Sequence, residues 1–282
     1  MTASGAVQSL QCSPSPFRER VGRAAPGVRS PWLTSPPTPL PEGRGGRIFR
    51  AIRHLSRAAA GDTLRAVDAD GMNPSVLHLV SKTSPAWLQH CLQHLDEVLV
   101  DHAHCEHKAA VTALSFISKY PDDPRLVVGL GELARDEADH FARAATLCTA
   151  RGLPLGHPSK DPYVDGLLKQ VRKSSVIDGR VDRLLCCAII EGRSCERLKL
   201  LAQALPAHLQ TDGQDELSRF YDELWREEAT HHLLFIELAE RTLSRAGHKP
   251  AQATVDVSSR LRELAEVEGA LLASLPVRAA IH

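Results

Sequence analysis

The sequence predicts an all-α protein, a four-helix bundle with additional short helices, behind an N-terminal segment rich in Pro, Gly and Arg. Three observations carry this. From Met72 onward apolar residues recur at helical spacing nearly throughout, caps and prolines divide that pattern into four long intervals, and no segment reads as a strand. Long helices joined by short connections become antiparallel neighbours, each burying one apolar stripe.

The chain of 282 residues divides near residue 71. Residues 1–71 hold eight of the 18 prolines, eight of the 18 glycines, and ten arginines against five acids. Such a composition cannot bury enough apolar surface to offset its ordering entropy, so the segment is expected to be disordered. It lacks the apolar run of a secretory signal, and its prolines spoil the amphipathic helix of a transit peptide. An open alternative is that Met72 is the true start and the preceding residues are not native. Residues 72–282 are expected to form the helical domain.

Its elements follow from their punctuation. The first long helix is expected from the cap Ser84-Pro85 to about Tyr120, where Pro121 and Pro124 stop it. The second opens at Asp123-Pro124 and ends at Gly152, and a short helix opens at Asp161-Pro162. The third runs from about Gly179 to Leu205 and stops at Pro206; the fourth runs from about Gln214 to Arg245, before Gly247. A last amphipathic helix, roughly Ser259 to Ser274, is expected to pack outside the others. At 1.5 Å per residue each long helix spans ~40 to 50 Å, which leaves room for a buried site at mid-height.

Composition excludes several classes. Lys+Arg and Asp+Glu balance at 34 each, so a chain-wide electrostatic grip on nucleic acid or anionic membrane is not expected. The longest apolar run, Leu184 to Ile190, is seven residues, too short to cross a bilayer, so a soluble protein is expected. Seven cysteines are scattered without a C-x-x-C pair, which points to reduced thiols, a cytoplasmic location and no zinc-ribbon or rubredoxin-type site.

Charged groups interrupt the apolar stripes. On the second helix Glu137 and His140 share one face with Leu130, Leu133, Ala144 and Leu147, because residues three apart point the same way. The fourth helix repeats this with Glu228 and His231 among Leu224, Phe235 and Leu238. Glu106 lies in the stripe of the first helix. The halves resemble an internal repeat: Cys105-Glu106 precedes Glu137 by 31 residues, and Cys195-Glu196 precedes Glu228 by 32. The repeat favours Glu196 on the third helix, while Glu191, in a stripe of its own, stays open as the alternative ligand. Four carboxylates and two imidazoles facing inward suit two divalent ions, which neutralise four negative charges. Iron and manganese both accept such a hard ligand set. Asp136 and Glu227, each directly before a motif glutamate, could accept a hydrogen bond from an imidazole on the opposing helix, or could be plain surface acids. His102, one turn from Glu106, is a further candidate for the surrounding shell; His104 and His107 point away from the stripe.

At these residues the chain resembles the tRNA 2-methylthio-N6-isopentenyladenosine hydroxylases. The resemblance covers about Ser81 to Glu268 and rests on Thr83–Leu88 (TSPAWL), Asp101–Ala110 (DHAHCEHKAA), Leu133–Phe141 (LARDEADHF), Arg151-Gly152, Ile190–Arg197 (IEGRSCER) and Glu228–His231 (EATH). It implies a ferritin-like fold and a non-haem di-iron monooxygenase. Two irons would be held by Glu106, Glu137, His140, Glu228, His231 and one of Glu191 and Glu196. It also implies dioxygen as co-substrate, an electron-donor protein or reductase, and hydroxylation of the isopentenyl side chain next to the anticodon. Gly192 departs from an expected alanine, Glu227 and Thr230 replace more usual neighbours, and Val277–His282 lacks the family's usual ending. That last departure leaves open whether this end caps the site or touches RNA.

For the tRNA anticodon loop a local basic patch is required, since residues 72–282 carry 24 Lys+Arg against 29 acids. The candidate is Lys169, Arg172, Lys173, Arg180 and Arg183, with a solvated charged face as the plainer alternative. Arg193 and Arg197 could contact phosphate or form salt bridges within the bundle. The competing readings are a ferritin-like iron-handling or peroxide-reducing protein and a metal-free helical interaction module.

Overall fold

The computed structural model describes residues 77–282, and the segment expected to be disordered lies outside them. All regular structure among the described residues is helical. In chain order the helices are α1 (Pro85–Gln93), α2 (Leu95–Lys119), α3 (Pro124–Ala150), α4 (Pro162–Leu168), α5 (Val176–Leu209), α6 (Glu216–Glu228), α7 (His231–Arg245) and α8 (Pro250–Ser274). None is long and apolar enough to cross a membrane.

The expected caps form. Ser84 accepts a hydrogen bond from the Ala86 amide at 3.2 Å, Asp123 caps α3 through Leu126, and Asp161 accepts from both Tyr163 and Val164 at 3.1 Å. Each stands before a proline in the first helical turn, where the missing N–H costs nothing.

Four boundaries differ from the sequence reading. The first long helix is two: His94, at φ −134° and ψ 42°, separates α1 from α2. Pro206 does not stop α5, which continues to Leu209 and ends on left-handed Gln210. Proline removes one backbone donor, and in the final turn that loss is small. The fourth helix divides at Ala229-Thr230, between Glu228 and His231. The last helix starts at Pro250, nine residues before Ser259, because a proline can open a helix whose first turn is exposed.

The helices pack as two pairs. The first is α2 with α3; the second is α5 with the broken rod α6–α7; α8 covers α4, α5 and α7 from outside. Helix α5 is the hub, with Leu184, Leu185, Ile189, Leu198, Leu201 and Leu205 all fully buried. Gly192 shows how tightly it is enclosed. A Cβ there would lie 2.7 Å from the Leu77 carbonyl oxygen, so the approach of this backbone excludes the alanine expected at that position.

Candidate metal centre

Six of the singled-out side chains converge where the two helix pairs face each other. Donor atoms of Glu106, Glu137, His140 and Glu228 lie within 4.8 Å of one another, and so do those of Glu137, Glu191, Glu228 and His231. Glu137 and Glu228 belong to both groups. Helix α2 supplies Glu106, α3 supplies Glu137 and His140, α5 supplies Glu191, and the α6–α7 joint supplies Glu228 and His231.

His140 Nδ1 lies 2.6 Å from Glu228 Oε1 and 3.7 Å from both Glu106 Oε2 and Glu137 Oε2. His231 Nδ1 lies 2.6 Å from Glu228 Oε2 and 2.9 Å from Glu137 Oε1. The two rings are nearly parallel, with centroids 5.8 Å apart. Although these atoms are close, His140 Nδ1, His231 Nδ1, Glu137 Oε1 and both Glu228 oxygens make no hydrogen bond of acceptable geometry. Buried donor atoms gathered within 4.8 Å without hydrogen-bonding one another suit the surroundings of a cation. Two divalent ions fit this donor set in charge and chemistry.

Proton affinities reflect the crowding. Burial, aided by the neighbouring carboxylates, pushes Glu106 and Glu191 well above the usual carboxylate range. Burial acts the same way on Glu137 and Glu228, but the two imidazoles outweigh it and hold both below that range. Burial would lower His140 and His231, and the surrounding carboxylates override it and raise both. Unneutralised, this collection of buried charge would cost several kcal/mol.

Around the centre, Glu227 Oε2 accepts from His140 Nε2 at 3.0 Å, and Arg143 Nη1 donates to the same oxygen at 2.7 Å. A proton held on Nε2 would leave the Nδ1 lone pair for a cation in the site. His102 Nε2 lies 2.6 Å from Glu106 Oε1, with its ring stacked on Tyr221; burial drops its pKa to about 4, so it is a neutral imidazole. Asp136 pairs with Arg135 at 2.8 Å. Arg143 was missed in the sequence, although its place one turn beyond His140 on the same helix was a usable signal.

Of the two third-helix glutamates, the one favoured by the repeat stands apart from the cluster. Glu196 lies outside both groups: its carboxylate accepts from the Thr83 amide at 3.0 Å and the Thr83 hydroxyl at 2.6 Å, and pairs with Arg193. Five residues separate it from Glu191, a rotation of about 140° round the helix. Glu191 is the carboxylate facing the centre.

Two members of the expected basic patch have acidic partners within the bundle. Arg172 is engaged with buried Asp182 at 2.8 Å, and Arg180 pairs with buried Asp123 at 2.9 Å while its guanidinium lies 4.3 Å from the Tyr120 ring centroid. Lys169, Lys173 and Arg183 are exposed. Arg193 is wholly buried against Glu268 at 2.8 Å, and Arg197 donates to the Ile281 carbonyl at 2.8 Å, so both hold the bundle together.

This fold and this cluster define a ferritin-like helical protein with a buried carboxylate–histidine site. The family model for tRNA-(MS[2]IO[6]A)-hydroxylase (MiaE) matches residues 71–282, and the chain belongs to that family of tRNA hydroxylases, which are oxidoreductases. It is 40% identical over 157 residues to the tRNA 2-(methylsulfanyl)-N(6)-isopentenyladenosine(37) hydroxylase of Pseudomonas putida, covering 56% of this chain and 72% of that protein. The protein of the same name from Salmonella typhimurium is 29% identical over 252 residues, covering 72% of this chain and 86% of that one. Among solved structures, protein 43 with aldehyde deformylating oxygenase activity from Synechococcus superposes with a TM-score of 0.61 at 32% identity, covering 72% of this chain and 94% of that one.

Proposed function

We propose that the protein hydroxylates the isopentenyl side chain of 2-methylthio-N6-isopentenyladenosine in tRNA, next to the anticodon. The observation that carries this is the pair of donor groups sharing Glu137 and Glu228, in a chain of this family. Glu106, Glu137, His140, Glu191, Glu228 and His231 would hold two iron ions. Bound there, the irons would use dioxygen and two electrons from a donor protein to insert one oxygen atom into an allylic C–H bond, the other leaving as water.

The chain's own residues prepare the site for that chemistry. Glu227, steadied by Arg143, fixes the His140 ring through Nε2. Leu99, Leu130, Ile189, Leu224 and Leu238, all fully buried, enclose the bundle interior and exclude water that would compete with the substrate. The anticodon loop is single-stranded, so a modified base can leave its stack without melting a duplex. Exposed Lys169, Lys173 and Arg183 are the contacts to RNA that best fit this reading. The six free thiols among the described residues suit the reducing cytoplasm.

The test is a comparison of tRNA nucleosides from cells with and without the gene, by liquid chromatography and mass spectrometry. Loss of the hydroxylated nucleoside and build-up of its precursor is the expected result. An unchanged profile in cells that make the precursor, together with peroxide turnover by iron-loaded protein, would turn the reading to a peroxide-reducing role.

A further inference from the structure

The segment Val277–His282 is drawn into the seam between α2 and α5. These helices pack chiefly on other partners, α2 on α3 and α5 on α6 and α7, and this segment bridges them. The Trp87 indole donates to the Ala280 carbonyl at 2.9 Å, the Ile281 amide donates to Asp101 Oδ2 on α2 at 2.8 Å, and Arg197 on α5 donates to the Ile281 carbonyl. Ala280 and Ile281 are buried.

His282 completes the bridge. Its Nε2 lies 2.7 Å from Ser194 Oγ on α5, and its Nδ1 lies 3.6 Å from both Cys105 Sγ on α2 and Asp161 Oδ2 at the cap of α4. The ring stacks on Tyr163 at 5.5 Å and 7°. Cys105 adjoins Glu106, and Ser194 stands one turn beyond Glu191. The preceding residues Val277, Arg278 and Ala279 line an open cleft of about 610 Å³ together with Asp101 and His104 of α2.

We propose that His282 is a positioning residue for the candidate metal centre. It clasps the turn of α2 that carries Glu106 to the turn of α5 that carries Glu191, and so sets the spacing of two carboxylates on helices that otherwise lean on different partners. A side chain that merely filled space would be replaceable by any group of similar volume. A clasp needs a polar atom within reach of Ser194.

The metal part of this inference rests on the proposed function, whereas the clasp itself can be read without metal. The variants are His282→Ala, His282→Gln, which can still bond Ser194, and Ser194→Ala, which removes the partner. Each full-length protein is compared with wild type for the alkylation rate of Cys105, followed by peptide mass spectrometry, and for Fe(II) affinity by chelator competition. The expected result is severalfold faster labelling of Cys105 and severalfold weaker iron binding in His282→Ala and Ser194→Ala, with His282→Gln close to wild type on both. Unchanged Cys105 labelling in the two alanine variants would overturn the clasp. Faster labelling with unchanged iron affinity, or no rescue by glutamine, would overturn the positioning role. A wild-type protein that binds no iron would remove the metal reading, and the labelling would still decide the clasp. Should His282→Ala fail to fold, Ser194→Ala reads the same contact from the other side.

Discussion

His140 is held at one nitrogen and turned inward at the other: Nε2 lies 3.0 Å from Glu227 Oε2, across the gap between α3 and α6, while Nδ1 faces Glu228 Oε1 at 2.6 Å. The outer carboxylate fixes which nitrogen carries the proton and how the ring is turned. Replacing such a partner typically weakens metal binding by about 10- to 100-fold. Glu227→Gln should therefore lower Fe(II) affinity within that range in chelator competition, while thermal stability changes little because Glu227 is half exposed. Unaltered affinity would reduce Glu227 to a surface acid.

Glu191 and Glu196 separate two kinds of buried carboxylate. Glu191→Gln should lose bound iron by elemental analysis and lose hydroxylase activity while remaining folded, since burial already favours its protonated form. Glu196→Gln should keep the iron and unfold earlier, by about 1–3 kcal/mol, because it disturbs the bonds to Thr83 and Arg193. The opposite pattern would restore the ligand suggested by the repeat.

Gly192→Ala tests the close passage of Leu77 over α5. The added Cβ meets a backbone carbonyl at 2.7 Å, and a backbone yields less readily than a side chain. A loss of about 1–3 kcal/mol in chemical denaturation is expected. A neutral outcome would show that the strand of chain before α1 can shift freely.

Two buried aspartates give the fold an acid limit. Burial pushes Asp182 up, but hydrogen bonds from Arg260 and Arg172 outweigh it and leave the carboxyl below its usual range; Asp123, bonded to Arg241 and Arg180, behaves alike. A depressed folded-state pKa stabilises the native state above the unfolded-state value, near pH 4, and that stability disappears as pH falls through the folded-state value. The denaturation midpoint should stay level near neutrality and fall below about pH 4. Asp182→Asn should start lower at pH 7 and fall less steeply in acid; parallel curves would assign the acid limit to other groups.

The sequence was most legible where helices have one wet face and one dry face. On α2, α3 and α6 the apolar stripe identified the inner side, and Glu106, Glu137, His140 and Glu228 stand where it pointed. Helix α5 defeats that logic because it is surrounded: Glu191, Arg193, Glu196 and Arg197 are all buried, on different sides of the helix. With apolar residues all round, a stripe can be drawn through either glutamate, and only the neighbours Thr83 and Arg193 reveal that Glus on this helix have different tasks. The breaks at His94 and at Ala229-Thr230 were illegible for another reason. Neither contains glycine or proline, so tertiary packing rather than local propensity divides those rods.

Because Glu137 and Glu228 serve both donor groups, two cations held there would share both carboxylates. The first cation to arrive would order two carboxylates that its successor also needs, and would relieve the repulsion between them. On the proposed two-iron reading, loading would be cooperative, with singly filled protein a minority at every iron concentration. The metal content of individual molecules should cluster at none and two, so a preparation averaging one iron per chain would be a mixture rather than a half-built enzyme.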